Sequence, residues 1–349
     1  MRVYEESDFG NLPPGLDLLF KSAGEASFFQ QKAWYELVAA HAREDNSVAR
    51  IYVRGSSHDA ALVMRVDARW LNGMSNAFTM EYGPLIASAG NPDIVRQLAA
   101  EIGRQRPPKD AIRLTALDPK DESWSALIDG LRSARLVVRP FFDSGTWFED
   151  TRGLDFDRYY ERRPSILKNT FARRVRIERQ GHTEYRFSAP NCDIEPLIAD
   201  YEEVYRRSWK EPERFPTFMP NLIRLAHRLG ALRMGVIRID GAPAAAQFWI
   251  LWRGRAVIYK LAYDERFSKL SLGTVLTMRM FERVLQSDKP SEINFGRGDD
   301  PYKQLWLPQR RERWGLLAAN FRTFRGVKLC ARSLAGQWRD RLLNVRGPG

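Results

Sequence analysis

The sequence predicts a mixed α/β protein built from two halves of similar size. Segments with the strand pattern alternate with segments in which apolar residues recur every three or four positions, as they do in helices. A similar order of strands and helices runs through both halves of the chain. In addition, 349 residues are more than one hydrophobic core usually supports, so two domains are expected.

The first predicted element of the first half is a β-hairpin, because RIYVRG and ALVMRV flank a Gly-Ser-Ser turn. A helix follows an Asn-Pro-Asp start signal, and its apolar residues Ile94, Leu98 and Ile102 recur at helical spacing. AIRLTAL is the next strand, WSALIDGLRSA the next helix and RLVVRPFF the last strand. These elements predict a domain over residues 1–153.

The second half opens with a basic helical segment and then repeats the alternation. The strand TEYRFSA is followed by helices over DIEPLIADYEEVYRRSW and MPNLIRLAHRL. RMGVIRI and AAAQFWILW form a predicted hairpin, since Asp-Gly-Ala-Pro joins them. The strand AVIYKLAY, the helix LGTVLTMRMFERVLQ and the strands EINFG and RERWGLLAAN complete a predicted domain over residues 154–320.

Composition excludes several classes of protein. Hydrophobic residues at 44% and charged residues at 28% exclude wholesale disorder and a coiled-coil rod. The longest apolar run, Ala244 to Trp252, is too short to cross a bilayer, and the N-terminus lacks a signal-peptide pattern. Cys192 and Cys330 are far apart, which excludes a disulfide framework and a cysteine zinc site. We therefore expect a cytoplasmic protein without a bound metal.

The formal net charge of +12 indicates an anionic partner, such as nucleic acid, a membrane surface or a phosphorylated cosubstrate. The excess is concentrated in two segments. Arg310 to Arg346 holds ten Lys or Arg against two Asp or Glu, and Arg162 to Arg179 holds seven against one. Each segment is either a solvated helix face or a binding surface, and the sequence leaves both interpretations open.

Residues 321–349 predict a basic amphipathic C-terminal helix. Apolar residues recur at intervals of three or four, and basic residues occupy the other faces: Phe324, Val327, Ala331, Leu334, Trp338 and Leu342 form the apolar side. One interpretation is a closing helix that packs on the second domain. The other is a helix that lies on an anionic membrane surface.

The second half resembles a known enzyme family. RSWKEPERFP, GVIRIDGAPAAAQFWIL, VIYKLAYDERFSKLSLGTVLTMRMFERVL and INFGRGDDPYKQLWLPQRRERWG are similar to the acetyltransferase-like family that includes the CelD-type cellulose-biosynthesis proteins. That family is related to the FemAB peptidoglycan-bridge transferases and to the GNAT acyltransferases. The resemblance is specific from about Arg207 to Gly315. It implies two GNAT-like domains in tandem, with the acyl-donor site in the C-terminal one.

The resemblance implies that an acyl donor binds after AVIYKLAY, where a helix opens at Ser271. Backbone N–H groups at a helix start bind phosphate, Arg266 and Lys269 add positive charge, and Gly273 and Thr274 lie in the first turn. The loop has fewer glycines than the pyrophosphate loop of most GNAT enzymes. FemAB-like relatives differ at the same place and use aminoacyl-tRNA. The alternative is a serine N-cap with ordinary flanking charges.

NFGRGDDPYK is the densest polar cluster of the chain. Asp299 and Asp300 precede a proline that favours a helix start, so either can cap that helix while the other orients a substrate amine or accepts its proton. Tyr302 is the candidate that protonates the leaving thiolate. Lys303 is a candidate for contact with a phosphate or carboxylate, and Arg297 is a candidate substrate-binding residue.

Five further residues are assigned to the cleft between acyl donor and acceptor that the resemblance implies. Tyr259 and Lys260 lie on AVIYKLAY, where alternation directs one of them to the cleft and the other away. A backbone amide between Tyr259 and Tyr263 is the expected oxyanion stabiliser. Gln247, in an apolar strand, is either a hydrogen-bonding group of the cleft or a core amide. The family pattern places Trp209 and Lys210 in a substrate-facing loop, although Trp209 also fits a core position.

The leading hypothesis is an N-acyltransferase that transfers an acyl group from acyl-CoA, or from acetyl-CoA, to an amine in a ternary complex. The acceptor amine would belong to an amino sugar, an exopolysaccharide precursor or a sphingoid-type lipid. One alternative is a FemAB-like transferase that uses aminoacyl-tRNA, which the basic charge favours. The other is a non-catalytic accessory protein of polysaccharide export.

Overall fold

The computed structural model describes residues 1–43, 47–55, 58–87, 92–169 and 182–331. The chain divides into two compact units: Met1–Ser144 together with the chain from Glu312 onward, and Gly145–Arg311. Both boundaries lie inside long strands. These limits differ from the sequence-based limits at residues 153 and 320, because the chain returns to the first unit after Arg311.

The first unit contains a mixed sheet whose strand order is β1-β2-β3-β4-β6-β13-β7, with β5 paired to β3. The strands are β1 (Arg2–Glu5), β2 (Val48–Arg54), β3 (Ala60–Val66), β4 (Trp70–Gly73), β5 (Leu85–Ile86), β6 (Ala111–Leu117), the first part of β7 (Val137–Asp150) and most of β13 (Gln309–Ala319). β2 and β3 are antiparallel neighbours, which confirms the predicted hairpin. β4 and β6 are parallel, so this sheet is mixed.

Four helices belong to the first unit: α1 (Pro14–Ala26), α2 (Lys32–His41), α3 (Pro92–Gly103) and α4 (Glu122–Ser133). α3 and α4 follow the predicted positions. α1 and α2 were not predicted, although α1 has a proline in its first turn and buries Leu16, Leu19 and Phe20 at helical spacing.

The second unit has its own sheet, in the order β7-β12-β11-β10-β9-β8. Its further strands are β8 (Thr183–Phe187), β9 (Leu232–Ile239), β10 (Ala242–Trp252), β11 (Arg255–Tyr263) and β12 (Glu292–Asn294). β10 is antiparallel to both β9 and β11, whereas β11 and β12 are parallel. The crossover between these two parallel strands contains a long helix, as parallel strands require.

Helices of the second unit are α5 (Phe156–Glu161), α6 (Glu195–Arg206), α7 (Phe218–Arg228) and α8 (Leu272–Ser287). α8 is held on the sheet by an aromatic cluster around Phe281. The Phe281 ring lies 4.5 Å from the ring of Tyr159, 5.0 Å from Trp249 and 5.5 Å from Trp306. This packing fixes α8 and the turn before Trp306, which are the two elements that flank the candidate site.

Two predicted features lie partly outside the described residues. Residues 324–331 are helical, and the rest of the predicted C-terminal helix is outside the description. Residues 170–181 of the basic segment are outside it as well. None of the helices in the described ranges has the length and apolar character needed to cross a membrane. Cys192 and Cys330 are both free thiols.

Candidate active site

β11 and β12 pair over only three residues of each strand and then diverge. Arg255 to Val257 pair with Glu292 to Asn294, and β11 continues alone on this side to Tyr263. After β12 the chain stays with β7 instead, because the amides of Phe295 and Gly298 donate to carbonyls of that strand. A gap therefore opens between the second half of β11 and the segment that follows β12.

The backbone of β11 presents hydrogen-bonding groups to this gap. The amide of Asp264 donates to the carbonyl of Ala244 on β10 over 2.9 Å. In an antiparallel pair, successive residues alternate between bonding to the partner strand and pointing away from it. Leu261 and Tyr263 consequently turn their amide and carbonyl groups away from β10, toward the gap.

A β-bulge changes the side-chain order of β11. The register between β10 and β11 shifts between Phe248 and Trp249, which leaves Tyr259 as the extra residue. The Tyr259 ring stacks on Phe248 at 5.3 Å and is buried, while the Lys260 ammonium lies 2.8 Å from the Glu213 carboxylate. The Glu213 charge also helps to raise the pKa of Tyr259, after burial. The side chains of Tyr259 and Lys260 therefore both lie on the face of β11 that is near Glu213. The prediction that one of them faces the cleft and the other faces away is wrong.

Lys210 reaches the gap from the loop after α6. Its ammonium donates to the carbonyl oxygen of Leu261 over 2.5 Å and lies 5.5 Å from the centre of the Trp209 ring. Burial, followed by repulsion from Lys260, lowers the pKa of Lys210 to about 8. Trp209 itself is half-exposed and packs on the Tyr263 ring at 4.4 Å. The structure therefore brings Trp209, Lys210 and β11 together.

Two ion pairs flank Lys210. On one side Lys260 binds Glu213, and on the other Lys303 lies 2.8 Å from Asp300. The Lys303 ammonium also donates to the carbonyls of Arg297 and Gly298 at 3.2 Å, and its side chain is buried. Lys303 thereby fixes the backbone of the turn after β12.

Asp299 and Asp300 have different environments. Asp299 accepts two hydrogen bonds from the Arg310 guanidinium, at 2.8 and 2.6 Å, and its carboxylate lies over Gly145. Asp300 is the N-cap residue of a short 3-10 helix (Pro301–Leu305), but its side chain makes no capping bond. Hydrogen bonds from Arg310 and Lys303, respectively, lower the pKa of each carboxyl group. Asp299 is paired with Arg310 and Asp300 with Lys303, and Asp300 is the more exposed of the two carboxylates.

Tyr302 follows directly and is half-exposed, with its ring edge against Phe295 at 6.1 Å. Burial, with the charge of Asp300 second, raises the pKa of Tyr302 to about 12. Its hydroxyl is therefore protonated at neutral pH, as a proton donor must be.

The predicted donor residues surround the start of α8. Ser271 is the N-cap residue of α8 and has a left-handed backbone (φ 54°), but its side chain makes no capping bond. Its carbonyl accepts the amide of Thr274 over 3.0 Å. Arg266 binds the buried Asp264 carboxylate at 2.6 Å, and Lys269 is exposed.

Gly273 lies in close contact with β11 at this helix start. A Cβ at this position would lie 3.1 Å from the Tyr263 ring, so the missing side chain faces β11. The absence of a side chain at Gly273 therefore lets β11 and α8 pack closely together.

Gln247 lies in the core. It is fully buried, and its amide nitrogen donates to the Thr277 hydroxyl on α8 over 3.2 Å. That hydroxyl donates in turn to the carbonyl of Gly273 over 2.8 Å. Of the two predicted roles for Gln247, the core amide fits this geometry.

Sequence reasoning missed a cavity next to Lys210, between α6 and α7. Its volume is about 280 Å³, and its walls combine aromatic, proline and charged side chains: Tyr201, Glu202, Tyr205, Arg206, Lys210, Pro212, Glu213, Pro216, Met219 and Pro220. Tyr201 and Tyr205 are four residues apart on α6, and this spacing could have predicted that they lie on the same face of the helix. Within the described ranges, no group of three or more His, Cys, Asp or Glu could hold a metal ion.

Residues 165–304 match the family model described as an acetyltransferase (GNAT) domain. No curated protein matches the sequence. Three solved structures cover most of the chain at low identity. FemX has a TM-score of 0.60 at 10% identity over 90% of this chain and 97% of its own. L-PGS from Bacillus licheniformis has a TM-score of 0.54 at 13% identity, over 82% and 88% respectively.

The third structure, a tandem GNAT protein from the clavulanic acid biosynthesis pathway, has a TM-score of 0.50 at 13% identity over 91% of this chain and 98% of its own. These likenesses show a shared fold and confirm the predicted mixed α/β architecture with tandem GNAT-like domains. The match of residues 165–304 to this domain model supports the prediction that the chain is an acyltransferase. The CelD-type subfamily stays a prediction.

Proposed function

We propose that the protein transfers an acyl group from acyl-CoA, or from acetyl-CoA, to an amine in the gap beside β11. The observation that carries this proposal is the divergence of β11 and β12. It leaves backbone groups of Leu261 and Tyr263 directed toward a space that is flanked by the start of α8 and by Asp300. A GNAT-type reaction needs such an edge, where an amide can stabilise the oxyanion of a thioester carbonyl.

The donor would lie along β11, with its phosphates near the start of α8. The first amides of that helix, together with Arg266 and Lys269, supply the positive potential. Ser271, Gly273 and Thr274 form the backbone of this turn. Arg266 is already bound to Asp264, so its net contribution is smaller than that of Lys269.

In the proposed reaction, the neutral amine nitrogen attacks the thioester carbonyl carbon and forms the new C–N bond. A β11 amide stabilises the tetrahedral oxyanion, and Asp300 orients the amine and accepts its proton. The C–S bond then breaks, and the thiolate receives a proton from Tyr302. Lys303 holds the turn that carries both residues. The products are an amide and free coenzyme A.

The test is a thermal-shift panel with acetyl-CoA, a long-chain acyl-CoA and free coenzyme A at two salt concentrations, followed by thiol-release assays with amines. A ligand at one hundred times its Kd stabilises the fold by about 2.7 kcal/mol. We expect stabilisation by at least one acyl-CoA and amine-dependent thiol release. If neither occurs, the donor is not coenzyme A-linked and this proposal is rejected.

The second candidate is an aminoacyl-tRNA-dependent transferase. The net charge of +12 and the basic segment from Arg162 to Arg179 favour it, because RNA binding requires such charge. Aminoacyl-tRNA binding that weakens steeply with salt, in the absence of any coenzyme A effect, would support it.

A cytoplasmic location at the inner membrane face is also part of the proposal. The basic C-terminal segment, residues 321–349, would provide the attraction to anionic lipid. Co-sedimentation with vesicles that contain anionic lipid, compared with neutral vesicles, tests it. A non-catalytic accessory role would be supported only if no acyl donor binds and the Asp300→Asn variant keeps full function in cells.

A further inference from the structure

The Lys210 ammonium lies near two other lysines and two carboxylates of the site. Three lysines meet here, Lys210, Lys260 and Lys303, and two of them are paired with Glu213 and Asp300. In the part of the chain that the structure describes, Lys210 has no carboxylate within ion-pair distance, and its close partner is the neutral carbonyl of Leu261. A partly buried ammonium in this state binds an anion favourably, because the anion replaces the lost hydration.

The same lysine lies at the cavity between α6 and α7. Most of the cavity wall near Lys210 is apolar, with the Tyr201 and Tyr205 rings, three prolines and Met219. The volume of about 280 Å³ is just below the range of roughly 300–1,000 Å³ for drug-sized ligands. It accepts one small apolar group, whereas a long acyl chain would need more space.

We propose that this cavity is the acceptor site of the transferase and that the acceptor is an amino acid or a small peptide with an apolar side chain. The inference rests on the proposed function and narrows its acceptor. The carboxylate binds the Lys210 ammonium, and the apolar side chain enters the cavity. The amine is left at the gap beside β11, because Lys210 is bonded to Leu261 on that edge.

Glu213 and Lys260 position the anion site. Their ion pair neutralises Lys260, so one uncompensated positive charge remains at Lys210. A simple alkyl amine, or an amino sugar without an anionic group, cannot form an ion pair with the Lys210 ammonium. A sugar phosphate offers an anion but lacks the apolar body that the cavity fits.

The experiment compares four acceptors with wild-type protein and acetyl-CoA or the acyl-CoA that binds best: L-phenylalanine, phenethylamine, glycine and glucosamine 6-phosphate. Phenethylamine lacks only the carboxylate of L-phenylalanine, and glycine lacks only its apolar side chain. We expect kcat/KM for L-phenylalanine to exceed that of each of the others by at least about tenfold. Binding is measured in parallel by calorimetry.

The Lys210→Met variant keeps an unbranched side chain, one atom shorter than lysine, and removes the charge. We expect it to lower kcat/KM for L-phenylalanine at least about tenfold more than it lowers kcat/KM for phenethylamine, a difference that a merely structural role would not produce. Lys120→Met is the matched control, because Lys120 is an exposed lysine of the first unit. Thermal melts establish whether both variants are folded. The comparison of the four acceptors uses wild-type protein and therefore does not depend on the folding of either variant.

The outcomes separate the two proposals. Equal turnover of phenethylamine and L-phenylalanine, a preference for glucosamine 6-phosphate, or an unchanged preference in Lys210→Met would each overturn the acceptor assignment. The acyltransferase proposal survives these results as long as acyl-CoA binds and thiol is released. The loss of acyl-CoA binding and of thiol release with every amine rejects the proposed function itself.

Discussion

The ammonium of Lys210 and the carbonyl oxygen of Leu261 are joined by a hydrogen bond of 2.5 Å, although 51 positions separate them in the sequence. This bond ties the loop after α6 to the free edge of β11. It places a cation where the strand turns its backbone toward the gap.

The first prediction concerns the pH dependence of stability. Lys210 has a folded pKa of about 8 and an ordinary value of 10.5, so its charge destabilises the fold fully below pH 8. This penalty is relieved as pH rises between the two values. Raising pH from 7 to 9 should therefore stabilise the wild type by about 1.3 kcal/mol more than Lys210→Met, which lacks the group.

Urea unfolding of both proteins at pH 7 and 9 measures this difference. The charged groups that face Lys210 are Glu213, Lys260, Asp300 and Lys303, and they are present in both proteins. Their titration largely cancels in the comparison. A difference between the proteins that does not change with pH would show that Lys210 is hydrated and has an ordinary pKa.

The second prediction separates the two adjacent carboxylates. Asp300→Asn should lower kcat about 100-fold, because Asp300 accepts the amine proton in the proposed reaction, and should also lower stability, because the buried Lys303 ammonium loses its ion pair. Asp299→Asn should keep kcat within about threefold and lose up to about 1 kcal/mol of stability, because Asp299 is engaged with Arg310. Single-turnover kinetics and urea unfolding of the two variants provide the comparison, and the reverse pattern would exchange the two roles.

The third prediction couples Asp299 to Gly145. A Cβ on Gly145 would lie less than 3.0 Å from the carboxyl carbon and both oxygens of Asp299, so Gly145→Ala must displace that carboxylate from Arg310. The variant should lose about as much stability as Asp299→Asn, and the double variant should lose little more. A double-mutant cycle should give a coupling energy of about 0.5–1 kcal/mol. Additive losses would mean that the strand adjusts and the ion pair persists.

Most elements of the second unit could be predicted because their signals are local. The Asp-Gly-Ala-Pro turn specified the β9–β10 hairpin, and the apolar spacing of α8 specified a long helix. The orientation of Tyr259 could not be predicted, since one bulge residue reverses the alternation on which the prediction depended. In the first unit, α1 and α2 were missed, although the helical spacing of Leu16, Leu19 and Phe20 in α1 is a local signal as well.

The residues of the candidate site could be named from the sequence, but their contacts could not. Trp209, Lys210, Lys260, Asp300 and Lys303 were all named from the sequence, and the structure places them around one gap. Their partners could not be named, because the Lys260–Glu213 and Lys210–Leu261 bonds join positions 47 and 51 residues apart. Such contacts depend on how the loop after α6 folds over β11, which no local pattern records.

The last prediction tests whether Gln247 belongs to the core or to the chemistry. Its amide nitrogen binds Thr277, but its side-chain oxygen has no hydrogen-bond partner among the described residues and is fully buried. An unsatisfied buried oxygen costs free energy, and Thr277 keeps its bond to Gly273 when Gln247 is replaced. Gln247→Leu, which is similar in volume, should therefore match the wild type or exceed its free energy of unfolding by up to about 1 kcal/mol, with kcat within about twofold. Gln247→Ala is the control, because its empty space should cost about 2 kcal/mol or more. If Gln247→Leu folds with full stability but loses turnover, the side-chain oxygen contacts substrate, and the core assignment is wrong.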